Sequence, residues 1–136
     1  MNVLVALAWP NHVHHGRALH WFQSRSAEGW ATCPVTEVGF VRVSSNVRAI
    51  PDARSPAQAI DLLRRMRALT GHVFWSDDVS PADADAHAFA RLVGYRQVTD
   101  AHLLSLARKR GGSLVTLDRG ILELAADDVS GVELIA

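Results

Sequence analysis

Residues 97–118 read QVTDAHLLSLARKRGGSLVTLD. Thr99 suits the N-cap of a helix through AHLLSLARKR. The Arg-Lys-Arg end of that run complements the negative pole of a helix and meets the breaker Gly111-Gly112. Ser113-Leu-Val-Thr116 then reads as a strand. The stretch therefore joins a helix to a strand, with Asp100 where the helix starts and Asp118 just past the strand. A third acid, Glu37 in PVTEVGFVRV, likewise sits where an apolar segment meets a polar one. Three carboxylates held by rigid elements and aimed at one polar cleft repel one another unless a cation lies between them. A hard divalent cation takes oxygen ligands and keeps several waters.

Outward from this stretch the pattern alternates. Residues 2–8 (NVLVALA) are a short apolar run stopped by Trp9-Pro10-Asn11, and read as a buried strand. Residues 12–26 read as a helix with Val13, Ala18, Leu19, Trp21 and Phe22 on its apolar side. Trp30-Ala-Thr-Cys33 is a short extended stretch. Pro34 fits the first turn of a helix carrying Val35, Glu37, Val38 and Val41, although the β-branched content favours a strand on propensity. Residues 44–56 form a polar connection. Ser55-Pro56 opens the helix AQAIDLLRRMRAL, which Gly71 ends. His72-Val-Phe-Trp75 is a strand candidate. Ser80-Pro81 begins a further helix with Ala84, Ala88, Phe89 and Leu92 inward, ended by Gly94. Residues 120–126 read as a short helix and Val132-Glu-Leu-Ile135 as a last strand. Strands alternating with helices imply an α/β class with a mainly parallel sheet and helices on both faces.

The chain has 136 residues, 49% of them hydrophobic, which suits a single domain, 1–136, with a real core. No apolar run is long enough to span a membrane. The apolar start lacks a basic leader, so a secretory signal is not expected. Cys33 stands alone, which excludes an internal disulfide. Both points suggest the cytoplasm. With 14 basic and 14 acidic residues the formal net charge is zero. That argues against a general nucleic-acid coat while leaving room for a local Arg groove. All the basic residues but Lys109 are Arg, whose guanidinium pairs bidentately with phosphate. A GC-rich coding sequence would give the same Arg and Ala excess.

In their order, these segments resemble a PIN domain and, within that family, the VapC ribonuclease toxins. The resemblance runs from Asn2 to about Ile135. It rests on the ordered set with its intervening elements, since strings such as TD and TLD are common. It implies a three-layer α/β sandwich, and it favours a helix around Glu37. It also implies that Glu37, Asp100 and Asp118 are catalytic and hold Mg²⁺ or Mn²⁺, with Asn2 and Thr116 in support. The family's first Asp would stand two residues before Asn2, ahead of Met1, so the first strand is expected to be truncated. The implied activity is a metal-dependent endoribonuclease acting on accessible loops of structured RNA. The implied partners are a cognate VapB-like antitoxin and a second copy of the chain. The rival expectation is a catalytically impaired module that only binds RNA or a protein. A receiver domain is set aside, because it needs paired acids after its first strand and a later Lys.

Singly, each residue has a simpler account. Asp100 suits the first turn of any helix, Glu37 could be solvated, and Asp118 before Arg119-Gly120 could shape a turn. Arg42, Arg119, Arg108 and Arg110 are candidates for holding the RNA backbone. Arg64, Arg65 and Arg67 read as a solvated helix face. His12, His14 and His15 read as a surface helix start, because zinc needs three or four converging ligands. Trp9 and Trp75 read as core or interface residues.

Overall fold

A computed structural model describes residues 1–83, 87–126 and 128–135. The chain forms two compact units, Met1–Asp77 and Asp78–Ala136. In the first, α1 (Asn2–Ala8), α2 (His15–Arg25), α3 (Pro34–Ser44) and α4 (Pro56–Arg67) accompany β1 (Trp30–Thr32) and β2 (His72–Phe74). The two strands pair in parallel, Trp30 opposite His72 and Thr32 opposite Phe74. The parallel α/β reading holds, with a helix connecting strands that run the same way.

The first segment departs from expectation. Residues 2–8 form a helix, not the remainder of a strand. A short apolar run carries no periodicity that separates a buried strand from a buried helix. Val3, Leu4, Val5 and Ala6 are all buried, as befits a helix enclosed on every side. Leu4, Val5 and Trp9 join Phe40, Ile50 and Leu63 in the core of this unit. The Trp9 indole donates a hydrogen bond to Ser44 Oγ at 3.1 Å, so the ring is a core anchor. On α2, Ala18 is buried while Val13 lies before the helix and is exposed.

The helix around Glu37 forms despite its Val content. Pro34 occupies its first turn, and the Cys33 N–H is taken up by Thr36 Oγ1 at 3.0 Å. In α4 the cap is reciprocal. Ser55 Oγ accepts from the Gln58 N–H at 3.2 Å, and Gln58 Oε1 accepts from the Ser55 N–H at 3.0 Å. Gly71 ends the turn after α4 at φ +86°, where a Cβ would run into the Ser26 carbonyl. Its own carbonyl accepts from the Trp30 N–H at 3.0 Å and so begins the β1–β2 ladder.

The second unit contains α5 (Val98–Lys109), β3 (Leu114–Thr116), α6 (Ile121–Ala125) and β4 (Val132–Leu134). Its strands also pair in parallel, Leu114 with Val132 and Thr116 with Leu134. Leu104, Ile121 and Leu124 form its core with Ala88, Ala101 and Ala125. Two expectations are corrected here. Thr99 lies inside α5, and the cap position is Gln97, at the end of a 3₁₀ turn over Tyr95–Gln97. The Gln97 side chain binds the N–H groups of Val93 and Gly94 and so starts the helical path earlier. The helix expected from Ser80 is also replaced. Ser80 Oγ accepts from the Ala82 N–H at 3.2 Å and Ser80 O from the Asp83 N–H at 3.1 Å. That local turn competes with a helix, and a 3₁₀ turn at Phe89–Arg91 follows. Ala88, Phe89 and Leu92 do face the core. Ala84 lies outside the described residues.

Candidate active site

Asp100 stands in the first turn of α5 and is half-buried. Burial pushes its carboxyl above the ordinary carboxylate value, and the charge of Asp118 pushes it further the same way. Two carboxylates from a helix start and a strand exit thus share one neighbourhood. Thr116 ends β3 buried, and its Oγ1 accepts from the Asp118 N–H at 3.1 Å. Asp118 Oδ1 accepts from the Gly120 N–H at 2.8 Å. Asp118 therefore shapes its turn and also bears on the charge of Asp100.

Glu37 lies in the first unit, on α3 beside the end of β1. The Thr32 hydroxyl donates to Glu37 Oε1 at 2.6 Å and lies 2.8 Å from His72 Nε2. With that hydroxyl proton given to Glu37, the ring nitrogen is the donor to Thr32 Oγ1. Burial and the Arg67 charge hold the His72 pKa below its usual value, and Glu37 opposes them. Arg67 Nε sits 3.4 Å from Glu37 Oε1, and its guanidinium lies over the Phe74 ring, 5.0 Å from the centroid. Both candidate acids that follow strands thus have a buried strand-ending Thr at hand, Thr32 for Glu37 and Thr116 for Asp118. No sequence motif marks Thr32, His72 or Arg67. The repeated Thr at the last strand position is the one signal that was available.

The remaining candidates divide. Asn2 is the first residue of α1. Arg42 and Arg119 are exposed. Arg108 reaches the 128–130 turn, bonding Ser130 O at 3.4 Å with Asp128 Oδ2 3.8 Å away, and Arg110 pairs with Asp78 at 3.3 Å. These two guanidiniums hold their own unit together. A cavity of about 930 Å³ lies at that end of α5, lined by Asp78, His87, Arg108 and Lys109 over Leu124. It does not include Asp100 or Asp118. The histidine cluster is local: His12 Nδ1 accepts from the His14 N–H, and the His15 ring meets the Ala6 carbonyl at 2.8 Å.

The acid pair suits a hard cation. Its donors are oxygens, and the repulsion from Asp118 that adds to the effect of burial on Asp100 is what a divalent ion relieves. Mg²⁺ needs few protein ligands because waters complete its shell. Among the described residues, no three His, Cys, Asp or Glu side chains gather as a ready-made metal cage.

Comparison with known proteins sets this geometry in context. The PIN domain profile matches residues 1–127. Ribonuclease VapC38 of Mycobacterium tuberculosis (strain ATCC 25618 / H37Rv) is 54% identical over 125 residues, 92% of this chain and 86% of its own length. Ribonuclease VapC39 of the same strain is 47% identical over 131 residues, 93% of this chain and 91% of its own. Ribonuclease VapC44 is 46% identical over 121 residues, 89% and 84%. With parallel strands delivering acids to helix starts, and with a match that spans nearly all of its length, this chain belongs to the PIN domain family.

Proposed function

We propose that this protein is a toxin of the VapC type, an endoribonuclease that works with Mg²⁺ or Mn²⁺. The observation that carries the reading is the Asp100–Asp118 pair. One carboxyl is half-buried and raised by that burial first and by the charge of the other second, in a chain 54% identical to a protein named as a ribonuclease. Perturbed acids of this kind concentrate at functional sites.

In this reading Asp100 and Asp118 bind the cation, and Glu37 keeps the metal-binding role that the family resemblance implies. A bound divalent ion supplies a water of lowered pKa and offsets charge on the scissile phosphate. Thr116 fixes Asp118 through the backbone N–H, and Thr32 fixes Glu37. Exposed Arg42 and Arg119 contact substrate phosphates. Accessible loops of structured RNA are the substrate class, since their bases and backbone are open to a protein. A VapB-like antitoxin controls the toxin, its disordered tail bringing cationic side chains to the acids. The functional form is a homodimer in the cytoplasm. No helix among the described residues is long and apolar enough to cross a membrane.

The test is cleavage of total RNA by the purified protein with Mg²⁺ and with chelator, beside Asp100→Asn. Cleavage is expected only with metal, and is lost in the variant while its circular dichroism stays that of the wild type. Equal cleavage with chelator overturns the metal mechanism. Undiminished cleavage by a folded Asp100→Asn protein removes Asp100 from the site.

A further inference from the structure

We propose that Tyr95 and Arg96 form a stacking platform for an unpaired RNA base at the entry to α5, the helix that carries Asp100; this rests on the ribonuclease reading above. Tyr95 is the chain's only tyrosine. It is 81% exposed, against 43% for Phe74, the other strongly exposed aromatic. A large ring this open, touched by the neighbouring Arg96 guanidinium and otherwise facing solvent, offers its surface to a ligand.

The ring is presented rather than loose. It opens the 3₁₀ turn Tyr95–Gln97, which runs directly into α5. The Gln97 side chain ties that turn back to the N–H groups of Val93 and Gly94, at 3.0 and 3.4 Å. The Arg96 guanidinium lies 5.8 Å from the Tyr95 ring centroid, and its Nε–H reaches the phenol oxygen at 3.3 Å. Among the described residues Arg96 meets no carboxylate, so its charge stays available to an anion beside the ring. Aromatic face and guanidinium plane together are the two surfaces on which unstacked bases settle.

The position fits the chemistry. Three residues of 3₁₀ path and two of α path take the chain from Tyr95 to Asp100, a rise of roughly 9 Å and a net turn of roughly 200°, so the ring and the carboxylate leave opposite sides of the entry to α5. A base seated on Tyr95 belongs to RNA that crosses the entry to α5, the helix that carries Asp100. Arg96 adds attraction for its phosphate. Duplex RNA, whose bases are already stacked, gains nothing from such a ring, so the platform selects single-stranded RNA.

The experiment measures RNA binding in EDTA, where a metal-dependent cleavage does not intrude. The probes are a short fluorescein-labelled single-stranded oligoribonucleotide and a duplex of the same length, read by anisotropy. Tyr95→Ala is expected to weaken single-strand binding by roughly 5- to 150-fold and leave duplex binding as it was. Tyr95→Trp is expected to keep the wild-type affinity. The proposal is overturned if Tyr95→Ala binds the single strand as the wild type does, or if the wild type binds none. It is also overturned if Tyr95→Ala turns a dimer into a monomer by sedimentation and loses both probes equally, which would make the ring a contact between copies. Cleavage of total RNA by the wild type with Mg²⁺ is scored separately. Its absence, with Tyr95-dependent binding intact, would remove the ribonuclease reading and leave the platform standing.

Discussion

At Asp100 the environment works against the charge. An acid held above its ordinary value of 3.8 binds its proton more tightly folded than unfolded. Its contribution to stability is therefore most favourable below pH 3.8, and falls as pH rises from there through the folded-state pKa. Asp100→Asn removes that penalty. The variant is expected to melt at or slightly above the wild-type temperature at neutral pH in chelator. The gain is held under about 1 kcal/mol because the group is half-exposed and screened. Added Mg²⁺ should raise the wild-type melting temperature and leave the variant where it was; a variant that melts lower in chelator would show that the helix dipole outweighs burial and repulsion. Thr32 offers the complementary case. Its hydroxyl serves both Glu37 and His72, and Thr32→Val keeps the shape while removing the bond. A loss of roughly 1–3 kcal/mol in urea unfolding is expected, because a charged acceptor and a ring N–H lose their partner together. A change under about 0.5 kcal/mol would mean that water and Arg67 replace the hydroxyl fully.

Among the elements, α4 shows its local grammar in full: Ser55, Pro56 and Gln58 at its start, Arg64, Arg65 and Arg67 in its last turn. Ser55→Ala breaks the reciprocal cap and should destabilise the protein by about 1 kcal/mol, read as a lower urea midpoint with unchanged slope. Elements with such punctuation were legible in the sequence: Pro34 at the start of α3, Gly71 after α4, Gly111-Gly112 before β3. Three elements differ from their local signals. The run at residues 2–8 lacks any periodic polar face. At Ser80 the start signal was genuine, but the hydroxyl closed a turn. The entry to α5 moved because Gln97 reaches back to residues that sequence spacing does not single out.

For the molecule as a whole, stability rests on two apolar clusters, one in each unit. Phe40 and Leu104 are fully enclosed in them. Phe40→Ala should cost about 3–5 kcal/mol and Leu104→Ala about 2–5 kcal/mol in urea unfolding. Losses below about 1 kcal/mol would mean that the surrounding side chains collapse into the space. Family membership spans both units, since the matched residues run from 1 to 127. By itself the sequence determined the parallel α/β class and most element boundaries, because hydrophobic runs, prolines and glycines act over a few residues. Only the tertiary structure decided that residues 2–8 coil rather than extend, since burial on all sides satisfies either backbone. Only it set Thr32, His72 and Arg67 around Glu37 and turned Arg108 and Arg110 to Asp128 and Asp78. Those partners lie about 20 to 40 residues away for all but Thr32, and a hydrogen bond between side chains so distant leaves no spacing in the chain to read.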